Sequence, residues 1–189
     1  MTELEIEYKT LLSYQNYVKI LKQMIAISPV TQVNHYFDTS DFQLKSHKMS
    51  LRIRTFTDHA ELTLKVPETV GNREYNLALT SDQAKTILAS NQLPPSEIAA
   101  LIQESGIALD RIACFGALTT VRREVQTSIG KMALDLNTYL GKTDYELELE
   151  VSDPEQGKKD FDAFLQENQL PFIFAKSKVA RFSQALAQK

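Results

Sequence analysis

Apolar and polar residues alternate with a period of two along much of this chain, which is the pattern of strands with two unlike faces. In residues 3–12, Leu4, Ile6 and Tyr8 alternate with Glu5, Glu7 and Lys9. Val30 to Thr39 reads as a strand that runs into the turn-prone Asp38-Thr39-Ser40-Asp41. From Met49 to Phe56, Leu51 and Ile53 alternate with Arg52 and Arg54. After a turn at Asp58-His59, Leu62, Leu64 and Val66 alternate with Thr63 and Lys65 up to Pro67. A short strand follows from Gly71-Asn72 to Leu79. Further strands are expected at about 112–126, 132–140 and 145–151.

Helical spacing interrupts this alternation. Tyr17, Val18, Leu21, Met24 and Ile25 predict a helix within 13–27, with Ser13 as its N-cap. Ser81-Asp82 is expected to cap a helix running to about Ala89, and 97–104 reads as another after Pro94-Pro95. Asp153-Pro154 opens a helix with proline in its first turn, and 177–187 forms a closing one. The pattern predicts one α+β domain over residues 1–189, with an antiparallel sheet able to close into a barrel.

Composition narrows the class. With 189 residues, 43% of them hydrophobic, the chain can build one real core. A net charge of -3 provides no overall field toward nucleic acid or an anionic membrane, so neither is an expected partner. No stretch approaches the roughly 18 apolar residues of a membrane span, and the acidic start is no signal peptide. Cys114, the only cysteine, lies in apolar surroundings and reads as a packed thiol; a cytoplasmic location is expected. His35, His47 and His59 lack zinc-site spacing, and none of the 6 glycines forms a phosphate loop.

Charge is sorted along the strands rather than mixed. Arg52, Arg54, Lys65 and Arg122, then Lys176, Lys178 and Arg181, are the basic positions; Glu5, Glu7, Asp135, Glu146, Glu148 and Glu150 are the acidic ones. Like carboxylates spaced about 7 Å apart on one strand face repel each other. Such a run makes sense as a ligand set for a hard divalent cation, while strand-borne arginines suit phosphate oxygens. Periodicity alone does not show that these faces meet.

These residues together resemble a known family. Glu5-x-Glu7-x-Lys9 is similar to the E-x-E-x-K signature of the CYTH superfamily, the triphosphate tunnel metalloenzymes. His35-Tyr36-Phe37-Asp38-Thr39, Ser50-Leu51-Arg52-Ile53-Arg54, Leu62-Thr63-Leu64-Lys65, Leu118-x-Thr120-x-Arg122, Asp135, Glu146-x-Glu148-x-Glu150 and Ser177-Lys178 follow in the family's order. The resemblance implies an eight-stranded antiparallel β-barrel, a tunnel with flanking helices and an inward charged face. Leu4, Ile6, Leu51, Ile53, Leu62 and Leu64 would face outward beneath the helices. It implies that Glu5, Glu7, Asp135, Glu146, Glu148 and Glu150 hold Mg²⁺ or Mn²⁺. Lys9, Arg52, Arg54, Lys65, Arg122, Lys178 and Arg181 would grip a triphosphate, and Lys9, Arg52, Arg54, Lys65, Arg122 and Asp135 would act in catalysis. Glu74 and Lys176 are further lumen candidates of ambiguous register, and Arg123 has outward parity. The expected activity is hydrolysis of tripolyphosphate or an organic triphosphate such as thiamine triphosphate, by a monomer or homodimer. A class IV-type adenylate cyclase and a non-catalytic polyphosphate- or nucleotide-binding module are the alternatives.

Overall fold

A computed structural model of the protein describes residues 2–188. Its eight strands are β1 (Thr2–Leu12), β2 (Val30–Thr39), β3 (Ser50–Thr55), β4 (His59–Pro67), β5 (Asn72–Thr80), β6 (Ile112–Thr127), β7 (Gly130–Tyr139) and β8 (Lys142–Val151). They form a closed antiparallel barrel in the order β1-β5-β4-β3-β2-β6-β7-β8. Among the described residues the α-helices are α1 (Tyr14–Gln23), α2 (Gln43–Ser46), α3 (Ser81–Ser90), α4 (Glu97–Glu104), α5 (Pro154–Glu167) and α6 (Lys178–Leu186). None is long and apolar enough to cross a membrane. The expected α+β barrel is the observed fold.

Contacts divide the chain into two compact units. One contains the first residues of β1 and Gln32–Ala117; the other contains Glu5–Thr31 and the chain from Leu118 onward. In the first unit, β3 pairs with β2 and β4, and β4 with β5. Leu51, Ile53, Leu62 and Leu64 are fully buried with Ala84 and Ile87 of α3 and with Ile98 and Ile102 of α4. Thr80, rather than Ser81 or Asp82, caps α3. Its hydroxyl accepts from Gln83 N, and the Gln83 side chain accepts from Thr80 N, so two otherwise orphaned donors are satisfied reciprocally. The expected turn after β2 contains α2: Asp38 accepts from the Leu44 and Lys45 amides and holds that single helical turn.

In the second unit, β8 lies between β1 and β7. Leu134, Leu147 and Leu149 pack with Tyr17 and Ile20 of α1 and Phe161 and Leu165 of α5. Ser13 caps α1 as expected, accepting from Asn16 N. That helix ends at Gln23, short of residue 27, where Met24 leaves helical geometry and its N–H closes the last turn on the Ile20 and Leu21 carbonyls. Leu4 departs from the expected covered face; it is 46% exposed near the start of β1. β7 and β8 are joined by Leu140 and Gly141, at φ 50 and 78. Both central residues of this two-residue turn are left-handed, which is the hairpin geometry that matches strand twist. It sets Asp135 opposite Glu146 and Ala133 opposite Glu148.

Candidate active site

The second unit gathers the acidic groups. Glu146 and Glu148 alternate with Leu147 and Leu149 on β8, so burial of the leucines in the core turns both carboxylates to the opposite face. The β7–β8 register adds Asp135. Ligand atoms of Asp135, Glu146 and Glu148 lie within 4.8 Å of one another, and all three residues are buried. An all-oxygen, multiply charged set of this kind fits a hard divalent ion.

Cationic side chains already enter this cluster. Lys178 stands at the first position of α6, where Ser177 caps the helix by accepting from Ala180 N. Its Nζ lies 2.5 Å from Glu146 Oε1, 2.6 Å from Glu148 Oε1 and 2.9 Å from Asp135 Oδ2. Arg122 of β6 binds Asp135 through two bonds, Nε to Oδ1 at 2.8 Å and Nη2 to Oδ2 at 2.7 Å, and also meets Glu148 Oε2. Arg181, one helical turn beyond Lys178, donates to Glu146 Oε2 and to Asp144. Each oxygen of the three carboxylates therefore has a cationic partner. The Lys178 ammonium stands where all three converge, so the position is shaped for a cation.

Ionisation reflects this crowding. Burial pushes the Glu146 carboxyl up to about 7, and Glu148 beside it adds to the rise. Burial acts in the same sense on Glu148, but Lys178 and Arg122 outweigh it and hold that carboxyl well below the usual range. Burial disfavours charged Lys178, yet Asp135, Glu146 and Glu148 keep its pKa well above the ordinary lysine value.

The first unit carries the basic strand face. Arg52 and Arg54 of β3 share it with Lys65 of β4, through the pairs Arg52↔Thr63, Arg54↔Glu61 and Ser50↔Lys65. Lys65 Nζ lies 2.5 Å from Glu74 Oε1, and Arg52 Nη2 lies 4.0 Å from the same oxygen. Burial raises the Glu74 pKa, but Lys65 and Arg52 more than offset it and lower the value overall. Arg54 Nε donates to Asn34 Oδ1 at 3.4 Å.

The other expected site residues are placed differently. Lys9 pairs with Glu7 on one face of β1, and Lys9 lies opposite Glu148 in the β1–β8 register. Neither Glu5 nor Glu7 joins the close carboxylate group. Glu150, at the end of β8, pairs instead with Lys131 at 2.6 Å and is 36% exposed in its side chain. Arg123 points away from the cluster, as parity required, and donates to Ile27 O. The Lys176 side chain is exposed and reaches Gln184.

The sequence leaves the register of Glu74 open and does not mark Asp144 or Asn34 at all. Glu74 is buried, and a strand starting at Asn72 gives it the parity of Asn76. β8 begins at Lys142, so Asp144 precedes the expected start at 145. Asp144 accepts from Asn137, Tyr139 and Arg181. Asn34 is 1% exposed, and its side chain carries no charge to mark it.

Comparison with known proteins adds an independent line. The model of the CYTH domain matches residues 3–183. A Bacillus subtilis (strain 168) protein named "Putative triphosphatase YjbK" is 36% identical over 182 residues, covering 95% of this chain and 94% of its own. A Bacillus halodurans crystal structure described as a "putative adenylate cyclase" has a TM-score of 0.90 at 34% identity, over 96% of this chain and 98% of that one. The Hippeastrum protein HpAC1, described as a "putative adenylyl cyclase" with a dominant triphosphatase activity, has a TM-score of 0.83 at 26% identity, over 96% of each chain.

Proposed function

The chain belongs to the CYTH domain family, and we propose that it is a divalent-metal-dependent triphosphatase, acting on inorganic tripolyphosphate or an organic triphosphate such as thiamine triphosphate. The observation that carries this reading is the buried convergence of Asp135, Glu146 and Glu148. The name of the Bacillus subtilis relative and the dominant triphosphatase activity of HpAC1 support hydrolysis.

Asp135, Glu146 and Glu148 would hold Mg²⁺ or Mn²⁺, with Glu5, Glu7 and Glu150 as further acidic groups. Bound there, the ion would neutralise phosphate charge and lower the pKa of a water. Lys178, no longer required as the carboxylates' counter-charge, would turn to the phosphate oxygens. Arg122 and Arg181 would keep the emptied carboxylate oxygens oriented. Arg52, Arg54, Lys65 and Lys9 would bind phosphate, the arginines through planar two-point contacts and the lysines as point charges. Attack of water on the terminal phosphorus of tripolyphosphate would break its bridging P–O bond and release phosphate and pyrophosphate. Positioning and charge neutralisation provide most of the catalysis in such transfers. The expected setting is the cytoplasm, with a small-molecule substrate and a monomer or homodimer.

Class IV-type cyclase activity is the second reading, favoured by the description of the Bacillus halodurans structure. A panel of tripolyphosphate, thiamine triphosphate and ATP, each with Mg²⁺ and Mn²⁺, separates the readings by scoring phosphate, pyrophosphate and cyclic AMP. Phosphate release from tripolyphosphate only with metal is expected, with a loss of about a hundredfold or more in the Glu146→Gln, Glu148→Gln double variant. Cyclic AMP as the main product would replace the hydrolase reading. Anion binding without turnover on any substrate would leave only a binding module.

A further inference from the structure

We propose that Asn34 is a substrate-binding residue whose side-chain amide donates to a phosphoryl oxygen held by Arg52. This rests on the triphosphate reading and adds to it a residue that no charge pattern marks. Asn34 lies opposite Arg54 in the β2–β3 register, with Tyr36 opposite Arg52, so Asn34 and Arg52 are diagonal neighbours on one strand face. The Asn34 amide takes its orientation from a long contact with Arg54. Its Oδ1 accepts from Arg54 Nε, and a guanidinium offers donors only. Turning the amide over would set N–H against N–H.

The consequence is that Nδ2, with both its hydrogens, is directed elsewhere. Asn34 is 1% exposed, and Nδ2 meets no acceptor among the described residues. Arg52 Nε, on the same face, is likewise buried without a hydrogen-bond partner. Glu74 meets Arg52 only at 4.0 Å from Nη2, an ion-pair distance too long for a hydrogen bond, and Nε has no partner of its own among the described residues. Buried donors in folded proteins are nearly always matched. Two unmatched donors on adjacent strands, one neutral and one cationic, define a site for a guest that offers acceptors only. A phosphoryl anion has that character. A nucleobase, which presents donors as well as acceptors along its edge, does not.

Calorimetric titration of tripolyphosphate into the full chain, in EDTA and with Mg²⁺, tests this when paired with melting curves. Asn34→Asp keeps the shape and the acceptor for Arg54 but loses both donors. Asn34→Leu loses the donors without adding charge. Both should bind tripolyphosphate about ten- to hundredfold more weakly, the usual worth of one hydrogen bond to a charged group. Asn34→Asp should melt no lower than the parent. Weakening in Asn34→Asp alone, with Asn34→Leu binding like the parent, would assign the effect to repulsion and overturn the proposal. Unchanged affinity in both variants would also overturn it and leave the triphosphate reading standing. Failure of the parent chain to bind tripolyphosphate under either condition would remove that reading and this inference with it.

Discussion

The two compact units carry opposite solutions to the problem of burying charge. In the second, Asp135, Glu146 and Glu148 are matched oxygen for oxygen by Arg122, Lys178 and Arg181. In the first, Arg52 Nε and Asn34 Nδ2 are buried donors without acceptors among the described residues. A buried charge costs several kcal/mol unless paired, and an unmatched buried donor costs about 1–3 kcal/mol. The second cluster is thus self-contained without a ligand, while the first keeps two donors that no described residue matches. On the proposed reading a metal would compete with the protein's own cations, whereas an anion would meet donors that are still unmatched.

Removing the central cation should break this contrast most severely. Lys178→Met leaves three buried carboxylates with less counter-charge, and a loss of about 3–5 kcal/mol is expected in chemical denaturation. Mg²⁺ or Mn²⁺ should restore more stability to this variant than it adds to the parent. No such difference would mean that Lys178 does not occupy the cation position.

An intermediate effect is expected in the first unit under acid. The lowered pKa of Glu74 means that folding favours its ionised form. Its contribution is present above the ordinary glutamate value of 4.5 and is lost as pH falls through the lowered folded value. Glu74→Gln should therefore be less stable than the parent near neutrality and lose less stability on acidification. Denaturation midpoints followed from pH 7 to pH 3 would show the two curves converging. Parallel curves would mean that Lys65 and Arg52 gain little from Glu74.

The smallest effect calibrates the other two. Lys158 and Asp162 form an ion pair at 2.5 Å on α5, with both side chains 55% exposed. Lys158→Ala should cost at most about 0.5 kcal/mol, since water screens the same chemistry. A cost comparable with that of Lys178→Met would make burial irrelevant to the contrast.

Much of this arrangement was legible because strand parity is a local property. Leu147 and Leu149 turn inward to the core, and that alone puts Glu146 and Glu148 on the other face. The paired Arg52 and Arg54 are readable for the same reason. Which strand faces come together is not local. Asp135 reaches Glu146 through the β7–β8 register, and Lys178 reaches both through the position at which Ser177 starts α6. Glu150 shares parity with Glu148 but sits at the strand end, where Lys131 can reach it. Asn34 carries no charge, so only its unmatched amide reveals it.

The Leu140-Gly141 turn gives the acidic cluster something like a reading frame. Asp135 and Glu146 face each other because they are equidistant from it, so one added residue would shift the pairing and send one strand's carboxylates to the leucine side. Two added residues would restore the parity. Along this hairpin, drift in side-chain identity on the apolar face is tolerable, whereas a change of length by one is a change of chemistry.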